Sequence, residues 1–584
     1  MPSARRTQVE QPGSLTASYH DALRQLGEAR AATRLFDRDA TLWKSDEAHA
    51  AVIQNRLGWL EAPAWLAAHG EELRGFATEI REAGFTRVVL LGMGGSSLAP
   101  EVLQRTLRPG PGAPTLEVLD ATDPAAVRGV EARGRLDRTF FLVASKSGST
   151  VETRSQYRYF RAAVEGAGLP DAGRRFAAIT DEGSALQTMA AAEGFRRVFL
   201  NQADIGGRYS ALSYFGMVPA ALLGLDLGDL AARAAAAREE ARGEDAAANA
   251  ALRLGAFLGA AAKAGRDKMT LLAPGPLRPF GFWVEQLVAE STGKEGRGIV
   301  PVEGEPLGPA HRYGKDRVFV FLGLAGSPDA DLARLQADLV DAGAPCVRIE
   351  IPDAEALGGE FFRWEAATAY AAVLLGIDPF DEPNVKESKD ATNRLLDTLR
   401  KEGRLPEAPF RATDGGIGIG AADPLWARMT KGLPAHPSLE SVLQRFLGLA
   451  RSDDYVAVLA YMKRTADTES AFALMRRAIR NATHLPVLQG YGPRYLHSIG
   501  QLHKGGPPTG LFLVLTTDTA PGEDAPIPES HFSFAALERA QALGDLESLA
   551  AHGKAALRLH LGHEPAAALG AINLAVERAV AARV

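Results

Sequence analysis

A single cysteine, Cys346, in 584 residues excludes an internal disulfide and any thiolate metal cluster. No run is both long enough and charge-free enough to span a bilayer, and the polar start MPSARRTQVEQPGS has no apolar core behind its arginines. Excess charge of either sign is also missing: 71 Asp and Glu against 65 Lys and Arg leave a formal net charge of −6. That balance argues against nucleic-acid or membrane partners, so an anionic ligand has to be held by a local site. The expectation is a cytoplasmic globular protein. With 46% apolar residues, the chain can build large cores in several domains.

From Leu15 to about Ala83, apolar residues recur at three- and four-residue spacings through YHDALRQL and VIQNRLGWLEAPAWLAAH. This predicts a helical segment over residues 1–83 with no chemistry of its own. Within it FDRDATLW, Phe36 to Trp43, reads as packing and capping, with Asp37, Asp39 and Trp43 not ligands.

At Arg87 the character changes. VVLLGM, LEVLD, FFLVAS, FAAIT and VFLN are short apolar strands separated by helix-length segments. That alternation predicts an open, doubly wound parallel sheet over residues 84–226. Ala-rich, charged connecting helices follow over 227–265. A second α/β domain is expected over 266–520 from the series KMTLLAP, RVFVFLG, CVRIEI, YVAVLAY, PVLQGY and GLFLVLTT, with 521–584 as a C-terminal segment. Ligands of such sheets bind beyond the carboxyl ends of the strands, and a cleft between two such domains is the default small-molecule site.

The chemistry concentrates in ASKSGSTVET, Ala144 to Thr153. A strand that stops at Ser145 and opens into a helix near Thr150 aims several backbone N–H groups into one concavity, which suits a phosphate. Ser145, Ser147, Ser149 and Thr150 supply hydroxyls and Lys146 a point charge. The alternative is a simple Ser/Thr N-cap. The loop GMGGSS, with Gly95 and Ser96, ends another strand and could face the same ligand. It also resembles a dinucleotide fingerprint, with Asp120 where a ribose-binding acid would sit, but Ser97 stands in place of its third glycine.

Arg208, in GGRYS, is either beside the turn glycines at the same sheet edge or an exposed residue near a helix start. In PFGFWVEQLVAESTGKEGRG, Gln286 and Glu290 share a helix face. The negative end of the helix dipole there would raise the Glu290 pKa toward that of a general base. The alternative is a surface pair of Glu290 with Lys294. EAPFRATDGGIGIGAAD, Glu407 to Asp423, follows no strand and reads as a mobile connector. GPRYLHSIGQLHKGGPPTGLF carries His497 and His503 at a spacing unsuited to zinc, and an imidazole in such a loop suits proton shuttling.

Taken together, GMGGSSLAPEVL, SKSGSTVET, GGRYS, the helix ending ESTGK and LHSIGQLHKGG resemble the glucose-6-phosphate isomerase family. The resemblance is to the isomerase part of bacterial transaldolase and phosphoglucose isomerase fusions, although the transaldolase barrel itself has no counterpart here. It implies two sugar-isomerase domains, doubly wound sheets in α/β/α sandwiches with helical N- and C-terminal additions. By motif, Ser145, Lys146, Ser147 and Thr150 resemble the phosphate binders, with Gly95 and Ser96 nearby. Glu290 resembles the acid of ESNGK that moves a proton between C1 and C2, with Thr292 in place of the Asn. Gln286 resembles the substrate glutamine, Arg208 the arginine that stabilises the enediolate, and His497 the ring-opening histidine. The family's FDQxGVExxK pattern is sought at the C-terminal end in RAQALGDLESL, where Gln541 matches the glutamine but Ser548 stands at the lysine, leaving Lys504 as a substitute. The family's histidine loop comes from a neighbouring subunit, which implies a homodimer. No cofactor or metal is implied. The alternatives are a sugar-phosphate-binding regulator without catalysis and, on the Gly92 loop, a dehydrogenase.

Overall fold

The structure, a computed structural model, describes residues 6–406 and 409–581. The chain divides into two compact units. The first comprises Met1–Asp120, Val130–Glu303 and Arg317–Glu382, and the second Ala121–Gly129, Gly304–Asp316 and Pro383–Val584. No helix of the described residues is long and apolar enough to cross a membrane.

The first unit opens with strand β1 (Thr7–Gln11) and the expected helices, of which Ala62–Glu82 is the longest before the first sheet. Asp39 caps a short turn by accepting from Thr41 N, and buried Trp43 donates Nε1 to Ala369 O at 2.9 Å, so this cluster is structural as read. Strands β2 (Arg87–Gly92), β3 (Thr115–Leu119), β4 (Thr139–Ala144), β5 (Phe176–Asp181) and β6 (Arg197–Asn201) form a wholly parallel sheet in the order β3-β2-β4-β5-β6. The strand β4 is buried along its whole length, as expected of a parallel sheet covered on both faces.

A second sheet gathers β7 (Lys268–Leu272), β8 (Val300–Val302), β9 (Arg317–Leu324) and β10 (Cys346–Ile351) in parallel, in the order β1-β10-β9-β7-β8. The N-terminal β1 lies antiparallel along its edge. It escaped the pattern reading because TQVEQ offers one apolar residue, Val9, itself half exposed. One apolar core, from Leu15 to Phe380, runs under both sheets of this unit.

The expected second strand series breaks after CVRIEI. The helix Leu357–Leu375 follows, apolar nearly all round and buried accordingly. The remaining strands form a third sheet with its own core in the second unit. It comprises β11 (Ala412–Asp414), β12 (Ile417–Ala421), β13 (Tyr455–Tyr461), β14 (Val487–Tyr491), β15 (Gly510–Thr516) and β16 (Ala555–His560), ordered β11-β12-β16-β15-β13-β14. The four strands β13 to β16 are parallel, whereas β12 runs antiparallel to β16.

The stretch read as a mobile connector is therefore a β-hairpin, apart from residues 407–408, which lie outside the described residues. Its strands β11 and β12 pair in register Ala412↔Ile419. Gly415 and Gly416, at φ 56° and 82°, turn the chain with two successive left-handed residues, as a two-residue hairpin requires.

Candidate functional site

The first sheet and the helix Phe280–Thr292 bring together most of the residues singled out in the first unit. The GMGGSS and SKSGST loops leave the carboxyl ends of neighbouring strands, β2 and β4. Gly95 lies so close to the segment after β6 that a Cβ there would fall 2.1 Å from the Gly207 carbonyl oxygen. Only glycine fits that approach, which sets Arg208 beside the loop. Ser210 Oγ donates to Gly95 O at 3.3 Å across the same junction.

In the SKSGST loop, Gly148 N–H donates to Ser145 Oγ at 3.1 Å, and Ser145 and Thr150 hydroxyls lie 3.0 Å apart. Ser147 and Ser149 hydroxyls pair at 2.7 Å. Thr150 occupies the N-cap of the 16-residue helix Val151–Gly166 but its side chain makes no cap bond. The plain N-cap alternative is thus not what holds the hydroxyl. Lys146 pairs with Asp181 and donates to Ala203 O at 3.0 Å. Its charge is shared with a half-buried carboxyl whose pKa desolvation pushes up against the pull of that lysine.

Arg208 is buried, not exposed, with 3% of its side chain accessible. Nε donates to Ser291 Oγ at 2.9 Å, Nη1 to Glu382 Oε2 at 2.9 Å, and Nη2 to Pro379 O and Asp381 O at 2.7 and 2.8 Å. Its Nη1 lies 3.8 Å from Glu290 Oε2. Glu290 also accepts from Gln286 Nε2 at 3.1 Å, the one-turn spacing seen in sequence.

The Glu290 pKa is raised chiefly by burial, opposed by Arg208 and assisted by Glu382. The direction matches the helix-dipole argument, but desolvation is the main cause. The surface pair with Lys294 does not form: Lys294 is buried, and Nζ reaches Asp381 O and Oδ1, each at 2.6 Å. Asp378 completes the cluster with a pKa pushed to about 6 by burial and by Asp381. Thr292 donates to Val288 O at 2.7 Å and accepts from Ile299 N at 2.9 Å, fastening the helix end to the next segment.

The dinucleotide alternative meets an obstacle at the same sheet. Ser97, in the position of the third glycine, donates to Asp120 Oδ2 at 3.3 Å, engaging the acid that a ribose would need.

The second unit holds the other residues. His497 ends the turn Arg494–His497 after β14. Buried His503 is ringed by Tyr455, Tyr495 and Phe512, and desolvation drives its pKa well down, so it is a neutral core residue. Lys504 Nζ pairs with Asp545 Oδ1 at 2.8 Å with both side chains buried, and Tyr495 donates to the other oxygen at 2.6 Å. Lys504 thereby anchors its loop. Gln541 Oε1 accepts from Thr122 at 2.8 Å, and Ser548 is buried nearby in sequence on the same helix.

A family model described as phosphoglucose isomerase matches residues 72–298, which contain the SKSGST loop, Arg208 and Glu290. A probable glucose-6-phosphate isomerase of Natronomonas pharaonis is 32% identical over 53% of this chain and 78% of its own. The chain belongs to the phosphoglucose isomerase family. A glucose-6-phosphate isomerase of Rubrobacter xylanophilus is 29% identical over 58% of this chain and 89% of its own. A hypothetical protein from Thermus thermophilus shares the fold, with a TM-score of 0.56 at 23% identity over 66% of this chain and 99% of its own.

Within this phosphoglucose isomerase family chain, FDQxGVExxK has a second match ahead of the C-terminal one. FDEPNVKESK, Phe380 to Lys389, keeps the Phe, Asp, Val and Lys. RAQALGDLESL keeps only the Gln. Glu382 takes the position of the pattern's glutamine and bonds Arg208.

Proposed function

We propose that the chain interconverts glucose 6-phosphate and fructose 6-phosphate by proton transfer between C1 and C2, acting in glycolysis and gluconeogenesis. The observation that carries this reading is the buried Glu290–Arg208 pair, 3.8 Å apart, beside two loops at the carboxyl ends of adjacent parallel strands. Glu290 takes the C2 proton of the open-chain aldose. An enediolate forms, the proton returns to C1, and the hydroxyl proton passes from O2 to O1. Arg208 stabilises the charge developing on oxygen, and the raised pKa of Glu290 makes it a stronger base than a surface carboxylate. Gln286 orients that carboxylate.

Ser145, Ser147 and Thr150, with Gly95 and Ser96, hold the remote phosphate so that its binding energy keeps the sugar in register. Lys146 contributes charge while sharing Asp181. His497 serves ring opening. The better pattern match supports Lys389, rather than Ser548, at the family's lysine position, with Lys504 and Gln541 in supporting roles. We further assign a cytoplasmic homodimer without cofactor, on the resemblance and the composition.

A coupled assay converting fructose 6-phosphate to glucose 6-phosphate, run with and without chelator, tests the reaction. Activity unchanged by chelation is expected, and its absence in both conditions would sink the proposal. The double variant Ser147→Ala, Thr150→Ala should raise KM by about tenfold or more, the worth of one or two hydrogen bonds to a charged group. It should weaken a competitive phosphorylated inhibitor in parallel. Unchanged inhibitor affinity would remove the phosphate assignment.

A further inference from the structure

The third sheet carries a cavity of about 840 Å³ that the isomerase reading does not use. None of the residues assigned above to the reaction lines it. It opens beyond the carboxyl ends of β13, β15 and β16, where Tyr461, Thr516 and His560 end their strands. The strand β13 has β14 on one side and β15 on the other. The chain therefore changes direction across the sheet between β13 and β15, and ligands of open α/β sheets bind at such a switch point.

The wall carries the end of a helix and a set of cations. The N-terminal end of the 18-residue helix Phe534–Ala551 reaches the cavity at Ser533, Ala535 and Ala536, where its first amides are already met by Ala525 O, the Asp524 carboxylate and Ser533 Oγ. Arg404, Arg539 and Arg558 line the same space. Arg558 is nine-tenths buried and donates Nε to Thr516 Oγ1 at 3.1 Å. Its pKa falls to about 10, first through burial and then through the charge of Arg539, so the two cations repel one another in the wall. An anion between them would relieve that repulsion.

The cavity also offers polar and flat surface. Buried Glu538 lines it with Oε1 unpartnered. Burial and Asp123 push its pKa well up, so the neutral carboxyl can donate as well as accept a hydrogen bond. Phe410 lines the cavity, lies over Gly418, stacks on His560 at 5.1 Å and carries the Arg558 guanidinium 5.0 Å from its ring centre, with 39% of its surface exposed. Asp518 is spent on His560 Nε2 at 3.0 Å, and Asp524 on the Ala525 and Ala535 amides. These two aspartates of the wall are thus engaged.

We propose that this cavity is a second ligand site, which takes a phosphate ester carried on a hydroxylated ring. The phosphate lies among the arginines, the hydroxyls meet Glu538, and the ring packs against the exposed part of Phe410. A free sugar phosphate and a nucleoside phosphate share this chemistry.

Titration calorimetry of the full chain with glucose 1-phosphate, adenosine 5′-monophosphate and inorganic phosphate tests the assignment without relying on turnover. At least one of the two esters should bind, more tightly than inorganic phosphate. Tighter binding of the nucleotide would identify Phe410 as a base platform, and tighter binding of the sugar phosphate would identify it as a pyranose platform. Arg539→Met, at an exposed position, should weaken ester binding tenfold or more with the melting temperature and isomerase activity unchanged. Phe410→Ala should weaken it while leaving inorganic phosphate unaffected. Binding of neither ester, esters no tighter than inorganic phosphate, or affinity untouched by Arg539→Met would each overturn the site. Because Ser147→Ala with Thr150→Ala alters only the isomerase loop, ester binding that falls with that variant instead would assign the heat to the isomerase site and also overturn the proposal.

Discussion

Glu290→Gln should leave the sugar phosphate bound and the proton unmoved. The amide keeps the shape of the carboxyl group and can still accept from Gln286, whose Nε2 lies 3.1 Å away. Arg208 keeps its bonds to Glu382, Ser291 and two backbone carbonyls, so the wall around the site persists. What disappears is the base, and losing a general base costs about 100- to 10,000-fold in rate. Exchange of the C2 proton with deuterated solvent reads abstraction directly, without requiring that the isomerisation be completed. The wild-type protein should show exchange and the variant should lose it, with inhibitor affinity retained. Since only the ionised carboxylate abstracts a proton, wild-type kcat should fall as pH drops through the pKa that burial has raised. Near-normal exchange in the variant would move the base elsewhere.

The fold was legible where local pattern and burial agree. The strands β2, β4 and β5 are apolar through their middles, as a covered parallel sheet demands, and the apolar runs alone find them. Elements whose residues are chosen for an edge were not. The strand β1 is polar because one face meets water, and β11 with β12 hide behind a glycine turn that resembles a linker until Asp-Gly-Gly between alternating residues is weighed as a hairpin signal. Membership of a sheet is a long-range property, and nothing inside CVRIEI or YVAVLAY says that the chain leaves one sheet for another between them.

The site shows the same division. Helical spacing paired Glu290 with Gln286, which the structure joins by a hydrogen bond, and the hydroxyl count marked the SKSGST loop, where Ser145 meets Thr150 and Ser147 meets Ser149. The partners that tune them come from far along the chain. Glu382, Asp381 and Asp378 reach Arg208 and Lys294 from about 90 to 170 residues away. The FDEPNVKESK match covers Asp381 and Glu382, and nothing local marks Asp378. That partnership also explains why Lys294 is unavailable to Glu290: the Asp381 carboxylate and carbonyl already hold it.

Arg208→Met should be the most damaging single change to stability in this cluster. The guanidinium spends Nε, Nη1 and Nη2 on four acceptors and faces Glu290 besides. Removing it strands the buried Glu290 carboxylate, a loss of about 3–5 kcal/mol when a buried pair is broken, and leaves the more exposed Glu382 without its guanidinium partner. Removing the stabiliser of the developing oxyanion should also cost about 100- to 1,000-fold in kcat. Since the charge of Arg208 holds the Glu290 pKa down against burial, its loss should raise that pKa further and carry the acid limb of kcat/KM to higher pH. Arg208→Lys separates the two effects. A single ammonium retains the charge but cannot reach the acceptors that three guanidinium nitrogens span. Stability should therefore recover only in part, and the acid limb should return toward its wild-type position. The checks are thermal melting and the pH profile of both variants. An acid limb unmoved in Arg208→Met, or a kcat near wild type in that variant, would separate Arg208 from the chemistry and leave it a purely structural residue.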